Sequence, residues 1–184
     1  MEEPKPGDHI YSDRGSYYHH GIFVGEAEVV NPNKDKRRKL SHGVIHFRGI
    51  QRNANGKASE AECQKCLHKA DHMGVVLTCI DCFLKEKRLH RYEYDVSLIT
   101  FNTTRNGSCS TSSCDESDVV IKRAFDFFHN QSFGDYNYYF NNCEHFATAC
   151  KTGKARCNQA ALGAGVAGVV VYKVARRVTK GILW

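Results

Sequence analysis

Asn141-Asn142-Cys143-Glu144-His145-Phe146-Ala147 reads as the opening of a helix. Either asparagine is a good N-cap, because its short side-chain oxygen can accept the unpaired N–H groups of the first turn. Gly153 suits the other end, where a left-handed residue closes the last turn. Cys143, Phe146, Ala147 and Cys150 recur at i, i+3, i+4 and i+7, so they share one face, and that face points into a core. A cysteine so placed can be a small buried hydrophobe. It can also be a nucleophile. The free N–H groups and the macrodipole of a helix start favour negative charge there, and a thiol with a lowered pKa beside an imidazole is an activated one.

Upstream of this helix, Ser117 begins a second one, with Val120, Ala124, Phe127 and Phe128 at helical spacing and Gly134 in the break that follows. Earlier still the pattern is that of strands. Residues 17–24 are aromatic and β-branched and end at a turn glycine, Gly25. Strands are also expected at 43–48, 75–79 and 91–96, the last with Tyr92, Tyr94 and Val96 alternating with Arg91, Glu93 and Asp95. Residues 31–41, 51–62 and 106–117 read as polar loops. Strands first and helices after predict an α+β fold, an antiparallel β-sheet packed against two helices. Side chains alternate along a strand, so His19 and His20 face opposite ways, while His42, Val44 and His46 share a face. His19, His42 and His46 could each meet the cysteine helix, and the residues alone do not choose among them.

A chain of 184 residues, 41% apolar and 25% charged, is a globular domain with short appendages rather than a disordered segment. The net charge of +6 gathers in Lys34 to Lys39, in Lys85 to Arg88 and near Arg176 and Arg177. Such runs are solvated faces or attract anionic lipid headgroups. No platform of interleaved aromatic and basic residues is present, so nucleic acid is not an expected partner. The polar start, Met1-Glu2-Glu3-Pro4-Lys5-Pro6, lacks the apolar stretch of a secretory signal. A cytoplasmic, membrane-associable location is the expectation, with nine cysteines kept as thiols or metal ligands. Cys63-Gln64-Lys65-Cys66 and Cys79-Ile80-Asp81-Cys82 are two Cys-x-x-Cys pairs that can supply four thiolates to a structural zinc ion. Cys109 and Cys114 read as surface thiols. In the tail, the apolar run from Ala160 to Tyr172 is shorter than the roughly 20 residues a membrane span needs. With Lys173, Arg176, Arg177 and Trp184 beyond it, it suits peripheral membrane contact.

Three stretches, in order, resemble the signatures of the lecithin:retinol acyltransferase (LRAT) domain family: Tyr18-His19-His20-Gly21-Ile22-Phe23-Val24-Gly25, then Val44-Ile45-His46-Phe47, then Asn141 to Ala147. Gly7-Asp8-His9-Ile10 is similar to the family's opening. The resemblance implies a permuted papain-like, NlpC-like fold over residues 5–153, with a Cys-rich insertion at 51–90 and a basic and apolar tail at 154–184. It implies Cys143 as nucleophile, His19 as general base and His46 as the second histidine, with no cofactor for catalysis. On that pattern the Cys143 sulfur is expected within hydrogen-bond reach of a His19 ring nitrogen, and His145, which matches a motif position but is turned away from Cys143, is structural or supports the site from behind. The implied substrate is a glycerophospholipid, whose acyl group would pass through a thioester on Cys143. Water as acceptor makes a phospholipase A, an amine or alcohol an acyltransferase. The alternative is a non-catalytic LRAT-like interaction domain with a zinc knuckle and a basic membrane-facing surface. His19 and His46 stand 27 residues apart, farther than the family's usual dozen, and a longer hairpin can absorb the difference at small entropic cost.

Overall fold

A computed structural model of the chain describes residues 3–31, 36–49, 62–69 and 71–158. The tail segment 160–184 and the loop 51–61 lie outside the described residues. The chain order is β1 (His9–Asp13), β2 (Tyr18–Asn31), β3 (Lys36–Arg48), β4 (Gly74–Cys79), α1 (Ile80–Leu84), β5 (His90–Arg91), α2 (Leu98–Thr103), α3 (Ser117–Asn130) and α4 (Cys143–Thr152). The strands form one antiparallel sheet in the order β4-β3-β2-β1-β5. This is the α+β architecture expected, with two short helices, α1 and α2, added to the two that periodicity predicts.

The sheet buries both faces, and the two faces do different things. Ile22, Val24, Ile45, Phe47, Val75 and Leu77 point to α3 and α4, where Phe133 meets Phe47, Phe127 and Phe146 edge to face and Phe146 lies tilted against Phe47 and Phe127. Such aromatic pairs add about 0.5–1.5 kcal/mol each beyond their buried area. The opposite face holds Ile10, Phe23 and Val44 and is covered by Phe83 of α1. Phe83 can lie this close because residue 21 is glycine. A Cβ there would stand 2.9 Å from the Phe83 ring and 3.0 Å from the Cβ of His46.

Four local expectations change. Residues 36–41 are strand, not loop. The β2–β3 hairpin continues past the core as a two-stranded ribbon, so Arg37, Arg38 and Lys39 are exposed and the run looks like a solvated loop in sequence. Gly25 does not end β2. It sits at a bulge with φ +71°, a conformation that suits glycine, and the register shifts on either side of it. Residues 92–96 keep the alternating burial expected of a strand, but only His90–Arg91 pairs with β1, and Asp95 at φ 56° turns the chain away. Cys109 is buried, unlike the surface thiol expected there. Among the described residues no helix is long and apolar enough to cross a membrane.

Candidate active site

Asn142 caps α4 as its sequence predicts. Its Oδ1 accepts the N–H groups of Glu144 (2.9 Å) and His145 (3.2 Å), and the His145 ring nitrogen Nδ1 accepts the Asn142 N–H in return. His145 is thus part of a capping box in which histidine takes the position usual for glutamate. The cap fixes Cys143 as the first helical residue and drives it into the sheet, where it is 2% exposed.

Cys143 meets β2 at the backbone on either side of His19. Its S–H donates to the Tyr18 carbonyl (3.6 Å), and the His20 N–H faces the sulfur. The side chains of His19 and His20 diverge as alternation requires. His20 lies with His9, Tyr11 and Tyr92, its Nδ1 2.8 Å from His9 Nε2. His19 points to the other face, with its Nε2 2.9 Å from His46 Nδ1. The hydrogen bond expected between the Cys143 sulfur and the His19 ring is not formed. The sulfur approaches His19 along the strand backbone, while the ring turns toward α1.

The two histidines belong to a longer chain of bonds. His46 Nε2 lies 3.1 Å from Thr78 Oγ1, and the Thr78 hydroxyl donates to the Cys79 carbonyl (3.2 Å). A hydroxyl has one proton. With that proton on the carbonyl, Thr78 accepts from His46 Nε2–H, which leaves His46 Nδ1 to accept from His19 Nε2–H. The network therefore assigns the tautomer in which His19 Nδ1 carries the lone pair. Phe83 packs against both rings, at 5.2 Å from His19 and 5.3 Å from His46. Thr78 and Phe83 were not singled out from the sequence. The available signal for Thr78 was a lone hydroxyl in the apolar strand Val75 to Cys79, beside the strand that carries His46. His42 is exposed and bonded to Ser41 Oγ, so it takes no part.

Burial sets the protonation states. It pushes the Cys143 thiol up to about 12, helped by the Glu144 carboxylate and opposed by the N–H groups of His20, Cys143 and Glu144. The helix start lowers the value as expected, but desolvation outweighs it. Burial also holds His19 and His46 well below the ordinary histidine value, reinforced by Arg14 and Arg48, which act on both rings. The resting site is a neutral thiol beside neutral imidazoles. Tyr17 and Tyr136 border the sulfur, and Tyr138, Tyr139 and Phe140, just before the cap, are 47%, 51% and 62% exposed. Ser12, the cross-strand partner of His19, has a buried hydroxyl with no hydrogen-bond partner.

The second cysteine set also converges. The sulfurs of Cys63, Cys66, Cys79 and Cys82 all lie within 4.8 Å of one another, a donor set that could hold zinc.

Compared with known proteins, residues 2–156 match the family model described as lecithin retinol acyltransferase. Protein LEAD-SENSITIVE 1 of Arabidopsis thaliana is 36% identical over 151 residues, which cover 80% of this chain and 57% of that protein. The chain thus spans a little over half the length of the curated relative it matches.

Proposed function

The chain belongs to the lecithin retinol acyltransferase family, and on that premise we propose that it transfers or hydrolyses the acyl group of a glycerophospholipid through a thioester on Cys143. The observation that carries this reading is the relay from the Cys79 carbonyl through Thr78 and His46 to His19. It leaves a lone pair on His19 Nδ1, on the residue whose flanking backbone Cys143 touches.

In the first step the Cys143 S–H leaves the Tyr18 carbonyl, is brought to His19 Nδ1 by a side-chain rearrangement, and gives its proton there as the sulfur bonds to the ester carbonyl carbon. The oxygen of the tetrahedral intermediate is negative, and the N–H at the start of α4 is the nearest helix donor for it. The intermediate collapses with cleavage of the C–O bond, and His19 returns its proton to the lysolipid alkoxide. Water, an alcohol or an amine then attacks the thioester and regenerates the thiol. His46 is a positioning residue, holding the base in the right tautomer. The exposed Tyr138, Tyr139 and Phe140 offer an apolar entry for an acyl chain, and Arg14 and Arg48 supply positive charge beside His19 for a phosphodiester. This reading keeps residues 5–153 as the family domain, with an insertion at 51–90; of the tail from 154, Ala155, Arg156, Cys157 and Asn158 pack back on α4, and peripheral membrane contact from the cytoplasm is assigned to the part beyond them.

One observation favours a second reading, a non-catalytic interaction domain on the same fold: Cys143 is 2% exposed, and that burial pushes its thiol up. The two are separated by incubating the protein with phosphatidylcholine and phosphatidylethanolamine vesicles and measuring intact mass. Acyl transfer requires a hydroxylamine-labile adduct on the wild type that Cys143→Ala lacks. Absence of any adduct or lysolipid across pH 6–9 refutes it.

A further inference from the structure

The two Cys-x-x-Cys pairs meet at the end of the histidine relay. Residues 63–68 close a tight knuckle, in which the Leu67 N–H donates to the Cys63 carbonyl (2.8 Å) and the Cys63 N–H to the His68 carbonyl (2.9 Å). Leu67 sits at φ 56° to make that turn, a left-handed conformation that a leucine adopts only at a cost. Opposite it, Cys79 ends β4 and is the N-cap of α1, and Cys82 lies in α1. The sulfurs of Cys63 and Cys79 are 4.0 Å apart and those of Cys66 and Cys82 3.6 Å. A tetrahedron with Zn–S bonds of ~2.3 Å has edges of about 3.8 Å, whereas a disulfide needs ~2.05 Å. Arg48 and Lys85 lie within electrostatic reach of Cys82, and Lys65 of Cys79 and Cys63. Such cations offset the net double negative charge of a zinc tetrathiolate.

We propose that Cys63, Cys66, Cys79 and Cys82 bind one zinc ion, and that this ion holds the His46–His19 relay in place through the segment Thr78–Phe83. Each coordinating thiol releases its proton to solvent, and four thiolates leave no open position, so the ion is structural and not a Lewis acid. Two of its ligands bracket the parts that build the relay. The Cys79 carbonyl takes the Thr78 proton and so sets both imidazole tautomers. Phe83, next to Cys82 and fully buried, backs both rings. Arg14 clamps the same segment from β2's side, donating to the carbonyls of Phe83 and Leu84 (2.9 Å to the latter). The sulfurs and the Lys65–Asp81 pair (2.6 Å) tie the 62–69 knuckle to α1. The consequence for activity rests on the reading of His19 as base; the metal and its effect on the rings do not.

The test uses the full chain. Plasma emission analysis should give one zinc per chain, and cobalt(II) exchanged into the site should show the thiolate charge-transfer bands of a tetrahedral sulfur site. Cys63→Ser, a ligand that touches neither histidine, should lose the metal. Long-range nitrogen–proton spectra should show His19 and His46 as single tautomers in the zinc form and as mixed, broadened signals after chelation, while amides of α3 and β1 stay unshifted. Thr78→Val should disturb the same ring signals with the zinc retained. Absence of bound metal, or disulfides in its place under reducing purification, overturns the site. Ring signals unmoved by chelation, or collapse of α3 and β1 together with them, overturns the coupling. An ordered, zinc-dependent relay in a protein that never acylates Cys143 leaves this proposal standing and refutes the acyl-transfer reading instead.

Discussion

The protonation state of Cys143 can be measured before any substrate is known. Its thiol is pushed up from an ordinary 9.0 to about 12. That is roughly 4 kcal/mol against ionisation and about a thousandfold less thiolate at pH 7. A more basic thiolate is also a better nucleophile, by ~15–30-fold for a Brønsted slope of 0.4–0.5. The two effects together make alkylation by iodoacetamide about 30–60-fold slower than for an unhindered thiol at pH 7. The cost of exposing a residue that is 2% accessible comes on top. The assay is peptide mass mapping of the Cys143 adduct against time, with the protein folded and lipid absent, from pH 6 to pH 10. The logarithm of the rate should rise with unit slope throughout. A plateau with a midpoint below pH 8 would mean a resting thiolate–imidazolium pair and refute the reasoning.

Two further predictions concern stability. His20 is held neutral at about 3 by burial, against 6.5 in the unfolded chain. Below pH 6.5 the unfolded state therefore binds the extra proton, and stability is lost as pH falls from 6.5 toward 3. Between pH 7 and pH 5 this one residue costs about 2 kcal/mol, or a fall in Tm of about 4–8 °C, with His9, His19 and His46 acting in the same direction. A Tm that stays flat over that range in circular dichroism melts would contradict neutral buried imidazoles. Asn142→Ala removes the acceptor for two helix N–H groups and the donor to the Tyr138 carbonyl (2.7 Å). It should cost about 1 kcal/mol and lower Tm by about 2–4 °C, whereas Asn142→Asp, which keeps the acceptor, should recover part of the loss.

What could be read from the chain was what repeats or caps. The period of α3 and the Asn142–Gly153 frame of α4 are local signals, and alternation alone separated His19 from His20. What could not be read depended on long-range contacts. Lys36 to Ser41 has the composition of a loop and is a strand because β2 runs beside it. β1 is five residues with no clear alternation and exists through its pairing with β2 and β5. The upward shift of Cys143 is illegible for a related reason: the helix terminus is visible in sequence, but the burial that outweighs it comes from β2 and the tyrosines around it. Thr78 and Phe83 matter because β4 pairs with β3 and α1 folds back over Gly21, contacts between segments some 30 to 60 residues apart.

The neutral resting site bears on how the proposed reaction would start. With the thiol at about 12 and His19 below 6.5, moving the proton to form a free ion pair costs at least ~7.5 kcal/mol. Most of that is desolvation, which burial imposes on both groups in opposite directions. If water reached both groups and restored ordinary values of 9.0 and 6.5, the cost would fall to about 3.4 kcal/mol. Opening is thus worth at least about 4 kcal/mol, about a thousandfold or more in rate. The tyrosines that border the sulfur, Tyr17 and Tyr136, are next to the exposed Tyr138-Tyr139-Phe140 segment. A lipid surface that draws that segment outward would uncover the sulfur and let proton transfer and attack proceed together. On this reading the burial that stabilises the fold also holds the thiol inactive in the isolated protein, and contact with the substrate's own surface would have to remove that restraint for the proposed reaction to start.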